Sequence, residues 1–457
     1  MMEAAMSALP SVNVDQLINT RPMTPMQWRI VLLCFLVIAL DGFDVAIMGF
    51  IAPELARDWA VSNLSLGPVM SAGLIGVAIG ALIAGPLADR VGRKPVLICA
   101  VAFFGALTLA SAFAPNLDWM VALRLLAGLG LGAAMPNAGT MVSEYTPLQR
   151  RSMLITVVLS GFTFGAAAGG FTSAYMIPVF GWKSILLVGG LLPLLALPLL
   201  ISAMPESLRW LVARQPARHH ARSARIIQQL APDLANGQVC FSVDEAPATV
   251  CSPIGQILSK GFFTGTLLLW LTYFMGLFLV YLLGSWLPTL IKNNGLSVSD
   301  AALITALFQF GGTAGSLLLG WFIDRSNPHR TLAVVYLIGG LAIYLIGTAS
   351  HGFALFALLA AAAGFCMNGA NACMYALAAN FYPTQARATG VSWMRGIGGL
   401  GSIASGFAGA HMLGAGWTFA TVFTALAVPA LIAGIAVFLK GNVMPPAGLA
   451  QPHSLLR

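Results

Sequence analysis

The sequence predicts an all-α membrane protein, with twelve transmembrane helices in two six-helix repeats and both termini cytoplasmic. Three observations predict it. Of 457 residues, 58% are hydrophobic and only 8% charged, against about 25% charged in soluble proteins. Twelve apolar segments stand out, at 28–50, 66–88, 96–115, 119–143, 152–177, 183–203, 262–290, 299–323, 331–349, 353–379, 391–413 and 417–439. Each is close to the length that crosses a bilayer, about 20 residues. Finally, the cations alternate. With the N-terminus inside, cytoplasmic segments hold 18 of the 23 Lys and Arg, and the opposite face holds only Arg57, Lys183 and Lys292. The net charge of +8 therefore reads as the positive-inside rule, not as a nucleic-acid footprint.

The elements follow in order. Residues 1–27 carry no apolar signal-peptide core, so they are expected to be a cytoplasmic segment ahead of a span that directs its own insertion. A first bundle covers 28–203, a polar cytoplasmic linker 204–260, a second bundle 261–440 and a cytoplasmic tail 441–457. Within the linker, "RQPARHHARSARIIQQL" reads as a solvated surface helix. Cys34, Cys99, Cys366 and Cys373 lie in spans, Cys240 and Cys251 in the linker. No pair has CxxC spacing, so free thiols are expected.

Span one is long enough only if it continues through "LDGFDVAIMG", residues 40–49. Asp41 and Asp44 then sit in the membrane, where each costs about 2.5–3.5 kcal/mol or more. Such residues need a function. They are three apart and share a helix face, and two neighbouring carboxylates in a low dielectric resist being ionised together. They are the expected proton-coupling pair.

After span two comes "GPLADRVGRK" (85–94), and after span eight "GWFIDRSNPHR" (320–330) repeats its Gly-x-x-x-Asp-Arg spacing at an offset of about 235 residues. Gly85, Asp89, Arg90, Gly92, Arg93 and Lys94, with Gly320, Asp324 and Arg325, are the expected conformational latch. Glu144 and Arg387 join it from the ends of neighbouring spans. Gly85 is expected to let two helices pack closely, and the charges to hold the halves in one state and release them in the other.

Arg124 opens "RLLAGLGLGAAMP" in span four, where Gly128, Gly130 and Gly132 make room for a neighbouring helix. An arginine cannot shed its proton, so Arg124 must meet an acid of span one or snorkel to the far surface. In span eleven, Arg395 lies among glycines in "GVSWMRGIGGLGS". It is expected to face a cavity, where its planar fork suits a carboxylate; a structural ion pair or snorkelling is the alternative.

Two acids and two arginines inside the spans sum to neutrality. An anion admitted alone would leave a buried negative charge, and an anion admitted with a proton would not. The expectation is that one carboxylate, Asp44, takes the proton and frees an arginine for the substrate. A ring substrate also needs apolar walls and a few polar points. Phe162, Phe164, Tyr273, Phe308, Tyr375 and Trp393 are candidate walls. Asn137, Gln309, Asn368 and Asn371 are candidate partners for ring hydroxyls, since an unpaired amide in a span is costly. No nucleotide-binding loop or HExxH occurs, so neither an enzyme, a metal site nor a cofactor is expected.

With these residues in view, the chain resembles the aromatic acid:proton symporters of the major facilitator superfamily over nearly its whole length. "DGFDVAIMGFIAPEL", "GPLADRVGRK", "GLGLGAAMPNA" and "FYPTQARATGVSW" carry the resemblance. "GFTFGAAAGG" (161–170) has the spacing of the superfamily's antiporter motif, but Ala166 replaces its proline, so packing glycines are the simpler reading. "PESLRWL" (205–211) resembles a segment common after span six. The resemblance implies a major facilitator fold and a monomer in the bacterial inner membrane. It implies import of a small aromatic carboxylate, such as 4-hydroxybenzoate or protocatechuate, with protons. By the same resemblance Asp41, Asp44 and Asp89 serve transport. Relatives place the span-eleven arginine where Gly399 stands here; Arg395 is one turn earlier. The alternatives are a carrier of another organic anion (muconate, a sugar acid, a dicarboxylate) or an aromatic-acid sensor.

Overall fold

A computed structural model describes residues 11–214, 216–231, 240–242, 253–259, 261–323, 325–348, 352–382 and 386–443. Twelve long helices dominate it. The first six are α1 (Pro25–Asp58), α2 (Leu66–Val91), α3 (Arg93–Ser111), α4 (Leu117–Tyr145), α5 (Leu148–Phe180) and α6 (Trp182–Ala203). The second six are α7 (Phe263–Asn293), α8 (Val298–Ile323), α9 (Pro328–Thr348), α10 (Phe353–Phe381), α11 (Arg387–Gly414) and α12 (Phe419–Lys440). Eleven are long and apolar enough to cross a membrane. The remaining one, α11, has 28 residues, about 42 Å of helix; glycines and Arg395 dilute its hydropathy, not its length.

Local chemistry sets the helix ends. At α1 the Thr24 hydroxyl and Gln27 form a reciprocal capping box, with Pro25 as first helical residue. Gln27 Nε2 also donates to the Tyr145 carbonyl at 2.7 Å, tying the start of α1 to the end of α4. Gly92, at φ +104°, makes the turn from α2 to α3, a backbone region L side chains avoid.

The internal repeat reappears as matched pairing. α1 packs on α5 as α7 packs on α11; α2 packs on α4 as α8 packs on α10; α3 packs on α6 as α9 packs on α12. Small residues permit these crossings. A Cβ added at Gly165 would run into the Ala39 carbonyl, and one at Gly128 into the Gly73 carbonyl. Gly161 and Gly165 of "GFTFGAAAGG" both lie against α1, which is the packing role expected of them.

The halves meet through α2–α11, α5–α8 and α1–α7. The chain end that carries the N-terminus is called the basic end below, and the opposite one the far end. Three cross-half bonds lie in the far half: Ser71 Oγ to the Ile403 carbonyl (3.1 Å), Ser299 Oγ to the Ala174 carbonyl (2.9 Å), and Lys292 Nζ to Glu54 (2.8 Å). Two lie near mid-membrane: Thr313 to Thr163 (2.9 Å) and Arg395 to Met135 (3.0 Å). These five bonds among the described residues thus lie in the far half and at mid-membrane. At the basic end a Cβ added at Gly85 or Gly320 would meet nothing within 4 Å. The expected close packing at Gly85 is therefore absent, because the halves of this conformation touch toward the far end.

The basic end of the first half carries a small tier. Ser11–Asn13 (β1) pairs in parallel with Cys240–Ser242 (β2), and Asn13 caps the short helix Val14–Thr20. Val14, Leu17 and Ile18 are buried in one cluster with Ile227 and Leu230 of the helix Pro216–Leu230. The arginine-rich stretch is thus a helix, but a docked one.

Candidate functional site

Asp44 and Arg124 form the best-connected charged pair in the membrane. Arg124 Nη1 lies 3.2 Å from Asp44 Oδ2, and the two side chains are 3% and 1% exposed. Thr108 of α3 donates to Asp44 through a short hydrogen bond. Arg124 Nη2 donates to Thr108 at 2.8 Å and to Ser111 at 3.1 Å. This settles the two readings of Arg124 in favour of burial beside an acid of α1. Thr108 and Ser111 are partners of this pair that the sequence reading missed; the signal was two hydroxyls three apart in an otherwise apolar span.

Asp41 is differently placed. It is equally buried but accepts no hydrogen bond among the described residues. Three residues turn a helix by about 300°, which aims Asp44 at α3 and α4 and Asp41 toward the second half. There Asp41 lies within electrostatic reach of Arg395 and Tyr281. Arg395 in turn faces Tyr375, Tyr273 and Tyr281, and Tyr273 donates to the Tyr375 hydroxyl at 2.9 Å. The one direct bond of Arg395 among the described residues goes to the Met135 sulfur, a weak acceptor. The membrane core thus holds two acid–arginine sets, one inside the first half and one across the halves.

Two small cavities adjoin them. The first, about 30 Å³, is lined by Asp44, Arg124, Val45, Met70 and Ser285 among others. The second, about 20 Å³, is lined by Gly42, Phe162, Tyr281, Gly284, Ser285 and Gln309 among others. Each has room for about one water, so a ring is admitted only when the walls part.

The remaining predicted contacts divide. Gln309 lines the second cavity, and its buried Oε1 has no donor among the described residues. Tyr375 is half-buried beside Arg395. Trp393, by contrast, is 41% exposed and stacks on Trp270. It precedes Arg395 by two residues, about 200° round the helix, so an inward arginine sends the tryptophan outward. Phe164 is also exposed, and Phe308 is sealed in the core. Asn137 donates to the Ala133 carbonyl of its own helix. Asn368 donates weakly to Gly364 and packs on Gly312. Asn371 accepts from Tyr336 and packs on Gly276. None of the three asparagines lines either cavity: Asn137 bonds back to its own helix, and Asn368 and Asn371 pack on glycines of neighbouring helices.

At the basic end, Asp89 pairs with Arg93 at 2.9 Å, and Arg93 Nε lies 3.6 Å from Glu144. Glu206 of "PESLRWL", unmarked by sequence, joins them. Its Oε1 accepts the backbone N–H groups of Arg93 (2.9 Å), Lys94 (3.1 Å) and Ser207 (2.8 Å). Ser207 bonds Glu144, and Lys94 Nζ reaches the Ile201 carbonyl at 2.7 Å. Arg90 is exposed. In the second half Arg325 lies over Trp321 at 4.1 Å, Arg387 has a buried Nε without a partner, and Asp324 lies outside the described residues. Among the described residues, Arg93 itself bonds Asp89, Glu144, Glu206 and the Ala88 carbonyl, all of the first half.

Known proteins agree with this architecture. Residues 34–292 and 269–454 match the family described as Major Facilitator Superfamily. The chain is 51% identical to a 4-hydroxybenzoate transporter, PcaK, of Pseudomonas aeruginosa, over 97% of this chain and 99% of that protein. It is 49% identical to a gallate transporter of Pseudomonas putida, over 94% and 95% respectively. Among solved structures, a D-xylose–proton symporter superposes with a TM-score of 0.69 at 18% identity, covering 92% of this chain and 98% of that one. The fold is a multi-pass membrane transporter's, not an enzyme's, and the chain belongs to the major facilitator superfamily.

Proposed function

We propose that the chain imports a small hydroxylated aromatic carboxylate, of the kind its relatives are named for, together with a proton, by alternating access across the bacterial inner membrane. The basic end is cytoplasmic in this reading, the carrier acts as a monomer, and the proton is its only coupling agent. The observation that carries the proposal is Asp41, buried within electrostatic reach of Arg395 of the other half and accepting no hydrogen bond among the described residues.

Charge balance gives the cycle. With Asp41 ionised, Arg395 has its counter-charge and the core is neutral. A substrate anion added to that state would bring an uncompensated buried charge, which is strongly unfavourable. When Asp41 takes a proton from the far side, Arg395 is free to pair with the substrate carboxylate. Release at the basic end returns Arg395 to Asp41, whose proton leaves. The proton role therefore moves from Asp44, the sequence expectation, to Asp41. Asp44 has Arg124 and Thr108 as fixed partners and serves to hold Arg124 in the membrane.

Asp41→Asn tests this. It should abolish uptake driven by a pH gradient while preserving exchange of labelled for unlabelled 4-hydroxybenzoate. Full gradient-driven uptake by this variant would defeat the proposal.

A further inference from the structure

We infer that Gln309 and Ser285 form a subsite for a ring hydroxyl opposite the carboxylate, so that the carrier selects para-hydroxylated acids over benzoate. The inference rests on the transport reading above and specifies its substrate.

Three observations place the subsite. Gln309 of α8 is 5% exposed, lines the second cavity, and has a sealed Oε1 that no donor reaches. A buried amide oxygen left unpaired is costly, and a ligand hydroxyl that donates to it recovers that cost. Ser285 of α7 lines both cavities, and its hydroxyl makes no hydrogen bond among the described residues. Other hydroxyls in these helices, such as Thr305 and Ser316, bond back to their own backbone. Ser285 is therefore free to donate while Gln309 accepts, which matches the two faces of a phenol. The amide also lies close against α7: a Cβ added at Gly284 would be 3.2 Å from Gln309 Nε2.

The spacing fits a para substituent. Tyr281, beside Arg395, lies one turn before Ser285 on α7, about 6 Å along the axis. That rise is close to the separation of a carboxylate from the para position of the same ring. A carboxylate held beside Tyr281, on its Arg395 side, would put a para-hydroxyl at the level of Ser285, which lines the second cavity together with Gln309. Phe162, 6.4 Å from Tyr281 between ring centroids, supplies an apolar wall between the two ends.

A site that hydrogen-bonds a substrate hydroxyl rejects the analogue lacking it. The test is competition of benzoate and 4-hydroxybenzoate for binding to the purified full chain. The unaltered protein should prefer 4-hydroxybenzoate by about tenfold or more, a ratio of one good hydrogen bond. In Gln309→Leu, and independently in Ser285→Ala should the first fail to fold, the ratio should fall toward unity. A ratio retained in a folded variant overturns the subsite alone. Failure of the unaltered protein to bind either acid overturns the transport reading, and the subsite with it.

Discussion

Asp41 and Asp44 are the same residue type, three positions apart on one helix, yet the fold gives them different surroundings. Asp44 is consumed by Arg124 and Thr108; Asp41 faces the other half. Their asparagine variants should therefore diverge. Asp44→Asn strips a buried arginine of its anion, a loss of about 3–5 kcal/mol for a broken buried pair. It should lower both the melting temperature of the solubilised protein and every mode of transport. Asp41→Asn should fold normally in the same melting assay. Equal melting losses in the two variants would contradict the division. Arg124→Lys should not rescue function in an uptake assay, because one ammonium cannot reproduce the guanidinium contacts to Asp44, Thr108 and Ser111. The two acids were legible in the sequence, since a carboxylate inside an apolar run needs a reason. Which of them held Arg124 was not, because Thr108 and Ser111 decide it and neither carries a charge. The outward turn of Trp393 follows from the angle to Arg395, so that position could have been excluded by helix geometry alone.

Helices as units were legible from hydropathy, and their ends were not. The first apolar run, 28–50, lies inside a helix that runs from Pro25 to Asp58. Hydropathy reports contact with lipid, whereas the helix begins at the Thr24 cap and continues past the bilayer through Glu54 and Arg57. Glu206 was similarly hidden. Its role is to receive the free N–H groups at the start of α3, which depends on a chain segment more than a hundred residues away. Glu206→Ala should cost about 1.5–3 kcal/mol, the worth of hydrogen bonds to a charged group, measurable as an earlier thermal transition. Glycines of one type also part company at this scale. Gly165 sits against the Ala39 carbonyl, while Gly85 faces open space. Gly165→Leu should therefore prevent folding. Gly85→Leu should yield a folded protein that no longer transports, if α2 must close against the second half elsewhere in the cycle. Normal uptake by folded Gly85→Leu would show that no such closure occurs.

Across the whole molecule, the repeat read at an offset of about 235 residues becomes two halves with matched helix pairing. Among the described residues the bonds that join them lie toward the far end and at mid-membrane. An ion pair among the described residues, Glu54–Lys292, bridges them near the far surface, and Asp41 and Arg395 lie within electrostatic reach of each other across the core. Alternating access requires both to change, and the proposed cycle uses the second to exchange a proton for a substrate anion. The most direct measurement is simultaneous recording of 4-hydroxybenzoate and proton flux in proteoliposomes, with no other gradient imposed. The account predicts that the unaltered protein acidifies the lumen as the acid enters, and that Asp41→Asn exchanges substrate with no lumen pH change. Proton movement by Asp41→Asn in step with substrate, or net import by the unaltered protein without protons, would contradict it.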